Sequence, residues 1–153
     1  MSPLIVFIAQ YLFIASVLGV IGYGLTLARE QKIDFAIHTV VGGIISLAFI
    51  QLAGLLYNDP RPFVSDRITP LIHHAADNGF PSDHTALTAY LGFLVLMYSR
   101  KLGIALLMIA LLIGIARVAA GIHHPVDIIG GFIIGAIGAY LGSLVRRRQR
   151  QPL

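Results

Sequence analysis

"LIVFIAQYLFIASVLGVIGYGLTLA", residues 4–28, runs for twenty-five positions without a charged side chain. A helix needs about 20 apolar residues to cross the hydrocarbon core of a bilayer, so this run is long enough to span one. It has no basic leading region and its apolar stretch is too long for a cleaved signal peptide, so it is expected to stay as a membrane helix. The same pattern recurs along the chain. Phe35–Tyr57 holds no Asp, Glu, Lys or Arg, Leu102–Ile122 is apolar except for Arg117, and Pro125–Val145 except for Asp127. Ser82–Tyr98 is shorter and opens with Asp83 and His84.

These five spans predict an all-α integral membrane bundle of about five transmembrane helices, because helices satisfy their own backbone polar groups in lipid. Composition agrees: 57% of the 153 residues are hydrophobic and 12% charged, against about a quarter charged in soluble domains. The length suits one domain over residues 1–153. With no cysteine, disulfides and thiolate metal sites are excluded. The net charge of +4 does not point to nucleic acid, since Arg146, Arg147, Arg148 and Arg150 crowd the end of an apolar span. Such a basic flank marks the cytoplasmic side of a membrane.

With the N-terminus outside, the inner flanks hold Arg29, Lys32, Arg100, Lys101 and the four tail arginines. Arg61, Arg67 and Arg117 fall outside, a positive-inside bias of eight to three. The expected location is a multi-pass cell-membrane protein, its C-terminus in the cytoplasm. This topology brings four stretches to the outer face: "DPRPF" (59–63), "PSDH" (81–84), Arg117, and "HHPVD" (123–127). The long connection 58–80 lies on the same side, and long loops in compact proteins tend to carry function.

Each piece has a plain structural use. Ser82 suits an N-cap, Asp83 and Asp127 suit the first turns of helices, Pro125 suits a helix start, and the arginines can snorkel to headgroups. Capping does not call for two arginines and two histidines at one face. Phosphate chemistry does. Helix N-termini attract anions, and arginines clamp phosphate oxygens with bidentate bonds. A histidine can attack phosphorus while a carboxylate holds its other ring nitrogen, and His123 and Asp127 are spaced for that. His84 can give a proton to the leaving oxygen.

Three separated motifs carry a family resemblance. Arg61-Pro62 is the first, Pro81-Ser82-Asp83-His84 the second, and Ala116-Arg117, then His123, then Asp127 the third. In that order and spacing the chain resembles the type-two phosphatidic acid phosphatase superfamily, from about residue 5 to residue 145. "PRPFV", "HAAD" and "FPSDHT" are most similar to its bacitracin-resistance branch of undecaprenyl-diphosphate phosphatases. The resemblance implies a polyprenyl diphosphate substrate cleaved at the outer face through a phosphohistidine, without metal or other cofactor. It implies His123 as nucleophile, Asp127 as its orienter, His84 as general acid, and Arg61, Ser82 and Arg117 as phosphoryl ligands. Arg67, His73 and His74 are candidates for the second phosphate, and Asp83 borders the site in place of the motif's glycine. Two departures stand out: Gly54 occupies the position of an expected lysine, and Ala116 that of a serine.

Other readings are another lipid phosphate as substrate, such as phosphatidate or phosphatidylglycerol phosphate, and a metal-binding or transport protein. His73, His74, Asp77, His123, His124 and Asp127 would supply ligands for the latter. A transporter, however, should carry ionisable groups near the midplane of the bilayer.

Overall fold

In a computed structural model, which describes residues 2–149 and the side chains of residues 2–145, helices account for the architecture. In chain order they are α1 (Ser2–Thr26), α2 (Arg29–Leu56), the single turn α3 (Pro62–Ser65), α4 (Asp83–Leu96), α5 (Arg100–Ala119) and α6 (Pro125–Gln149). The tail residues Arg146, Arg147, Arg148 and Arg150 fall outside the described side chains.

Helix α1 shows why the chain suits lipid. It buries the small Ala9, Ser16 and Gly24 along with Val20, and exposes Leu4, Phe7, Tyr11, Ile14, Leu18, Ile21 and Leu25. A soluble helix does the reverse. In a bilayer, large apolar side chains can face the tails, while small ones let helix backbones approach. Helices α1, α2, α5 and α6 are each long and apolar enough to cross a membrane.

The fifth predicted span, α4, is 14 residues and about 21 Å long, shorter than the other four. It is the central helix, packed against α1, α2, α5 and α6, with Thr85, Ala86, Ala89, Tyr90, Leu94 and Val95 all buried. Gly135 of α6 permits a close approach: a Cβ there would lie 2.6 Å from the Tyr90 nitrogen. The Tyr90 hydroxyl donates to the Thr39 carbonyl of α2 at 2.7 Å, and Thr88 Oγ1 to the His84 carbonyl at 2.8 Å. Polar groups buried in this helix are thus paired, as a low-dielectric interior demands.

The connection between α2 and α4 is held down by one side chain. Asn78 Nδ2 donates to the carbonyls of Gly54 and Tyr57 at 2.9 Å each. Its Oδ1 accepts from the backbone N–H groups of Asp59 (2.9 Å) and Phe80 (3.0 Å). The free end of α2 is therefore capped by the loop that returns over it. Farther along, Leu71 N–H donates to the Ala120 carbonyl at 2.9 Å, and Ile72 is buried with Ala9, Ala116, Ala120 and Ile122. The loop becomes a roof over one end of the bundle.

Candidate active site

Under that roof the chain turns from α5 into α6, and the turn fixes a histidine between a carboxylate and two guanidinium groups. Pro125 starts α6 and places Asp127 in its first turn, where the helix dipole favours a carboxylate. Asp127 is fully buried. Its Oδ2 lies 3.0 Å from His123 Nδ1 and accepts the His124 backbone N–H at 2.9 Å. An ionised carboxylate can only accept, so His123 carries its proton on Nδ1 and presents a lone pair at Nε2. Into that lone pair point Arg117 Nη2 at 3.0 Å and Arg61 Nη1 at 3.3 Å.

Both arginines are nearly inaccessible and anchored from behind. Arg61 Nε donates to Asp77 Oδ1 at 2.6 Å, and its Nη1 to the Ile122 carbonyl at 2.8 Å. Arg117 Nη1 donates to the Ala9 carbonyl of α1 at 3.0 Å, while its buried Nε has no partner among the described residues. Burial, then the charges of Arg117 and Arg61, holds the His123 imidazole below the usual histidine range, against the opposing pull of its bond to Asp127. A neutral imidazole with a free nitrogen beside two fixed cations is prepared to attack an anion held by those cations.

A cavity of about 450 Å³ opens onto this group; Arg61, Arg117, His123, His84, Asp83 and His74 line it. His84 is half-buried, with its ring edge-on to Phe13 at 4.5 Å. Its ring nitrogens have no hydrogen-bond partner among the described residues. Asp83 is exposed at the rim, at the start of α4. His74 is pushed below the usual range by burial and by the charge of Arg61.

Three substrate-binding candidates from the sequence do not line this cavity. Ser82 is fully buried, and its hydroxyl pairs with Thr85 Oγ1 at 3.1 Å instead of capping α4 or facing the cavity. Its backbone N–H, donating to the Asp127 carbonyl at 3.1 Å, ties α4 to α6. Arg67 is exposed in a left-handed conformation (φ 55°) and lines neither this cavity nor the smaller one beside it. His73 is exposed and lines the smaller one.

The two departures from the family pattern lie in different settings. A Cβ on Gly54, which lines the cavity, would lie 3.3 Å from the Phe80 carbonyl and 3.8 Å from Asn78 Nδ2, so the pinned loop packs closely there. Ala116 is buried in the apolar cluster with Ile72 and Ile122.

Asp59 and His124 form a pair that the motifs did not reveal. Asp59 Oδ2 meets His124 Nδ1 at 2.8 Å, and Asp66 Oδ2 lies 3.7 Å from Nε2. Burial lowers the His124 pKa, but the bond and charge of Asp59, with Asp127 and Asp66, outweigh it and raise it above the usual value. Asp59, His124 and Asp127 each offer one ligand atom within 4.8 Å of one another, enough to consider a metal ion. Those atoms already serve one another and His123 as hydrogen-bond partners. Asn78 was equally hidden, though Asn-Gly at 78–79 is a turn signal.

Known proteins resemble the chain over most of its length. The chain is 34% identical to the undecaprenyl-diphosphatase BcrC of Bacillus subtilis over 141 residues, 92% of this chain and 72% of that protein. It is 31% identical to the bacitracin transport permease protein BcrC of Bacillus licheniformis, over 91% of this chain and 68% of that protein. The crystal structure of LpxE from Aquifex aeolicus shares the fold: TM-score 0.68, 21% identity, 92% of this chain and 86% of that one. The family model of the PAP2 superfamily matches residues 35–151, a stretch that holds Arg61, His84, Arg117, His123 and Asp127, and the chain belongs to that superfamily.

Proposed function

We propose that the protein is a membrane-bound undecaprenyl-diphosphate phosphatase, releasing the terminal phosphate of the diphosphate through a phosphohistidine at His123. One observation carries the reading: His123 Nδ1 is held by Asp127 while Nε2 faces Arg61 and Arg117. The terminal phosphoryl group takes the place of the imidazole at the two guanidinium groups. Nε2 attacks phosphorus, the N–P bond forms, and the P–O bond to the lipid phosphate breaks. His84 protonates the leaving oxygen. Water then attacks the phosphohistidine, gives its proton to His84, and releases inorganic phosphate with neutral His123 restored. Asp127 balances the charge on the phosphorylated imidazole, and the arginines balance the charge on the equatorial oxygens.

The positive charge comes from side chains already in place, so the reaction runs without a metal ion. We place the site at the extracytoplasmic face, with the N-terminus outside and the C-terminus inside, on the eight-to-three distribution of basic residues. The name of one relative speaks for transport. The polar cluster here lies at helix ends under a loop, which suits a hydrolase better than a carrier. A test is phosphate release by purified protein from polyprenyl diphosphate, polyprenyl monophosphate, phosphatidate and phosphatidylglycerol phosphate, with EDTA present and absent. The diphosphate should give the highest kcat/KM, vanadate should inhibit, and EDTA should leave the rate within about twofold. Higher turnover of phosphatidate would leave a general lipid phosphatase, and loss with EDTA reversed by magnesium or zinc would reject the metal-free mechanism.

A further inference from the structure

The catalytic cavity has a neighbour. A second cavity, about 260 Å³, lies between α1 and the loop, and is lined by Gln10, Tyr11, His73, His74, His84 and Arg117 together with two isoleucines. His74, His84 and Arg117 border both cavities, whereas His123 and Arg61 border only the first. Gln10 is the one amide in α1, a helix otherwise fit for lipid, and it has no hydrogen-bond partner among the described residues. It is half-buried and faces the cavity, where its amide can donate to a ligand.

Resting on the proposed diphosphatase reaction, we infer that this second cavity holds the non-reacting, lipid-bearing phosphoryl group, with Gln10 and Tyr11 of α1 as its specificity-determining ligands. The arrangement follows from the chemistry. With the terminal phosphorus at His123, the bridging oxygen must leave away from Nε2, towards the wall that carries His84. Beyond that wall lies the second cavity, where an amide, a phenol and two imidazoles can donate to the second phosphate. His74, a neutral donor below the usual histidine range, stands at the junction. A lipid monophosphate has no group to place there. Tyr11, 53% exposed, sits at the lipid-facing edge, where the attached chain can pass into the bilayer.

The test compares kcat/KM for polyprenyl diphosphate and for polyprenyl monophosphate of equal chain length, in wild type, Gln10→Leu, Tyr11→Phe and Leu18→Ala. Gln10→Leu should lower the diphosphate-to-monophosphate ratio about tenfold, the effect of one hydrogen bond to a charged group. Tyr11→Phe, which removes a single oxygen, should lower it in the same direction and serves if Gln10→Leu fails to fold. Leu18→Ala, on the exposed face of α1, should leave the ratio as in wild type. An unchanged ratio in both Gln10→Leu and Tyr11→Phe, or a parallel loss on both substrates, overturns the inference while leaving the diphosphatase reading intact. Failure of the wild type to hydrolyse the diphosphate overturns that reading, and the inference with it.

Discussion

Replacing Asp127 by asparagine keeps the shape of the side chain and removes its charge. In wild type the carboxylate is fully buried and lies 3.0 Å from His123 Nδ1. When Nε2 binds phosphorus, the ring becomes cationic, and the carboxylate is its nearest counter-charge. At an effective dielectric of about 20 and the observed separation, the attraction is ~5 kcal/mol for a charge on Nδ1, and ~3 kcal/mol for one spread over the ring. At about 1.4 kcal/mol per factor of ten, kcat should fall by roughly 10²- to 10⁴-fold. The carboxamide also offers an N–H₂ group that can meet Nδ1 and force the proton to Nε2, which removes the nucleophilic lone pair. Because the interaction strengthens only as the ring gains charge, KM should change less than about threefold. Steady-state phosphate release in detergent micelles gives both constants, and gel filtration with thermal unfolding checks that the variant folds. A folded Asp127→Asn protein with kcat within threefold of wild type would refute the role given to this carboxylate.

Other consequences concern pH and topology. The Asp59–His124 pair has a raised histidine pKa, so its stabilisation is complete below the ordinary value of 6.5 and is lost as pH rises through the folded value. The Tm deficit of Asp59→Asn should accordingly be largest near pH 6 and shrink towards pH 9; a deficit that grows with pH would contradict the pairing. His123 has a lowered pKa, so the acidic limb of kcat/KM that it sets should lie below 6.5. Arg61→Gln removes one cause of the lowering and should move that acidic limb to higher pH, and an unmoved limb would assign it to another group. Cysteine can be introduced into a chain that has none. At Ser65, exposed in α3, it should react with an impermeant thiol reagent added to intact cells, whereas at Gln149 it should not. The reverse pattern would put the site in the cytoplasm.

The helices and the His123–Asp127 pair were readable because both are encoded at short range. Charge-free runs mark the spans, and the His123–Asp127 pair lies four residues apart across a helix start. What escaped was depth and direction. Hydropathy reads α4 as one more crossing, and only packing shows it to be the central helix. Ser82 occupies the capping position, yet its hydroxyl turns to Thr85, one helical turn on. Arg67 stands near the motif in sequence but on an exposed left-handed residue. The loop restraints join residues far apart: Asn78 reaches back 24 positions to Gly54, and His124 reaches 65 to Asp59. No spacing rule announces such pairs.

The central claim is the covalent intermediate on His123. Rapid quench of purified enzyme mixed with polyprenyl diphosphate labelled in its terminal phosphate, followed by digestion and mass spectrometry under alkaline conditions, tests it directly. An acid-labile, base-stable phosphoryl group should appear on His123 within one turnover, decay as free phosphate is released, and be absent from folded, inactive His123→Ala. Label on His84 or His124 instead, or full turnover by His123→Ala, would contradict the mechanism.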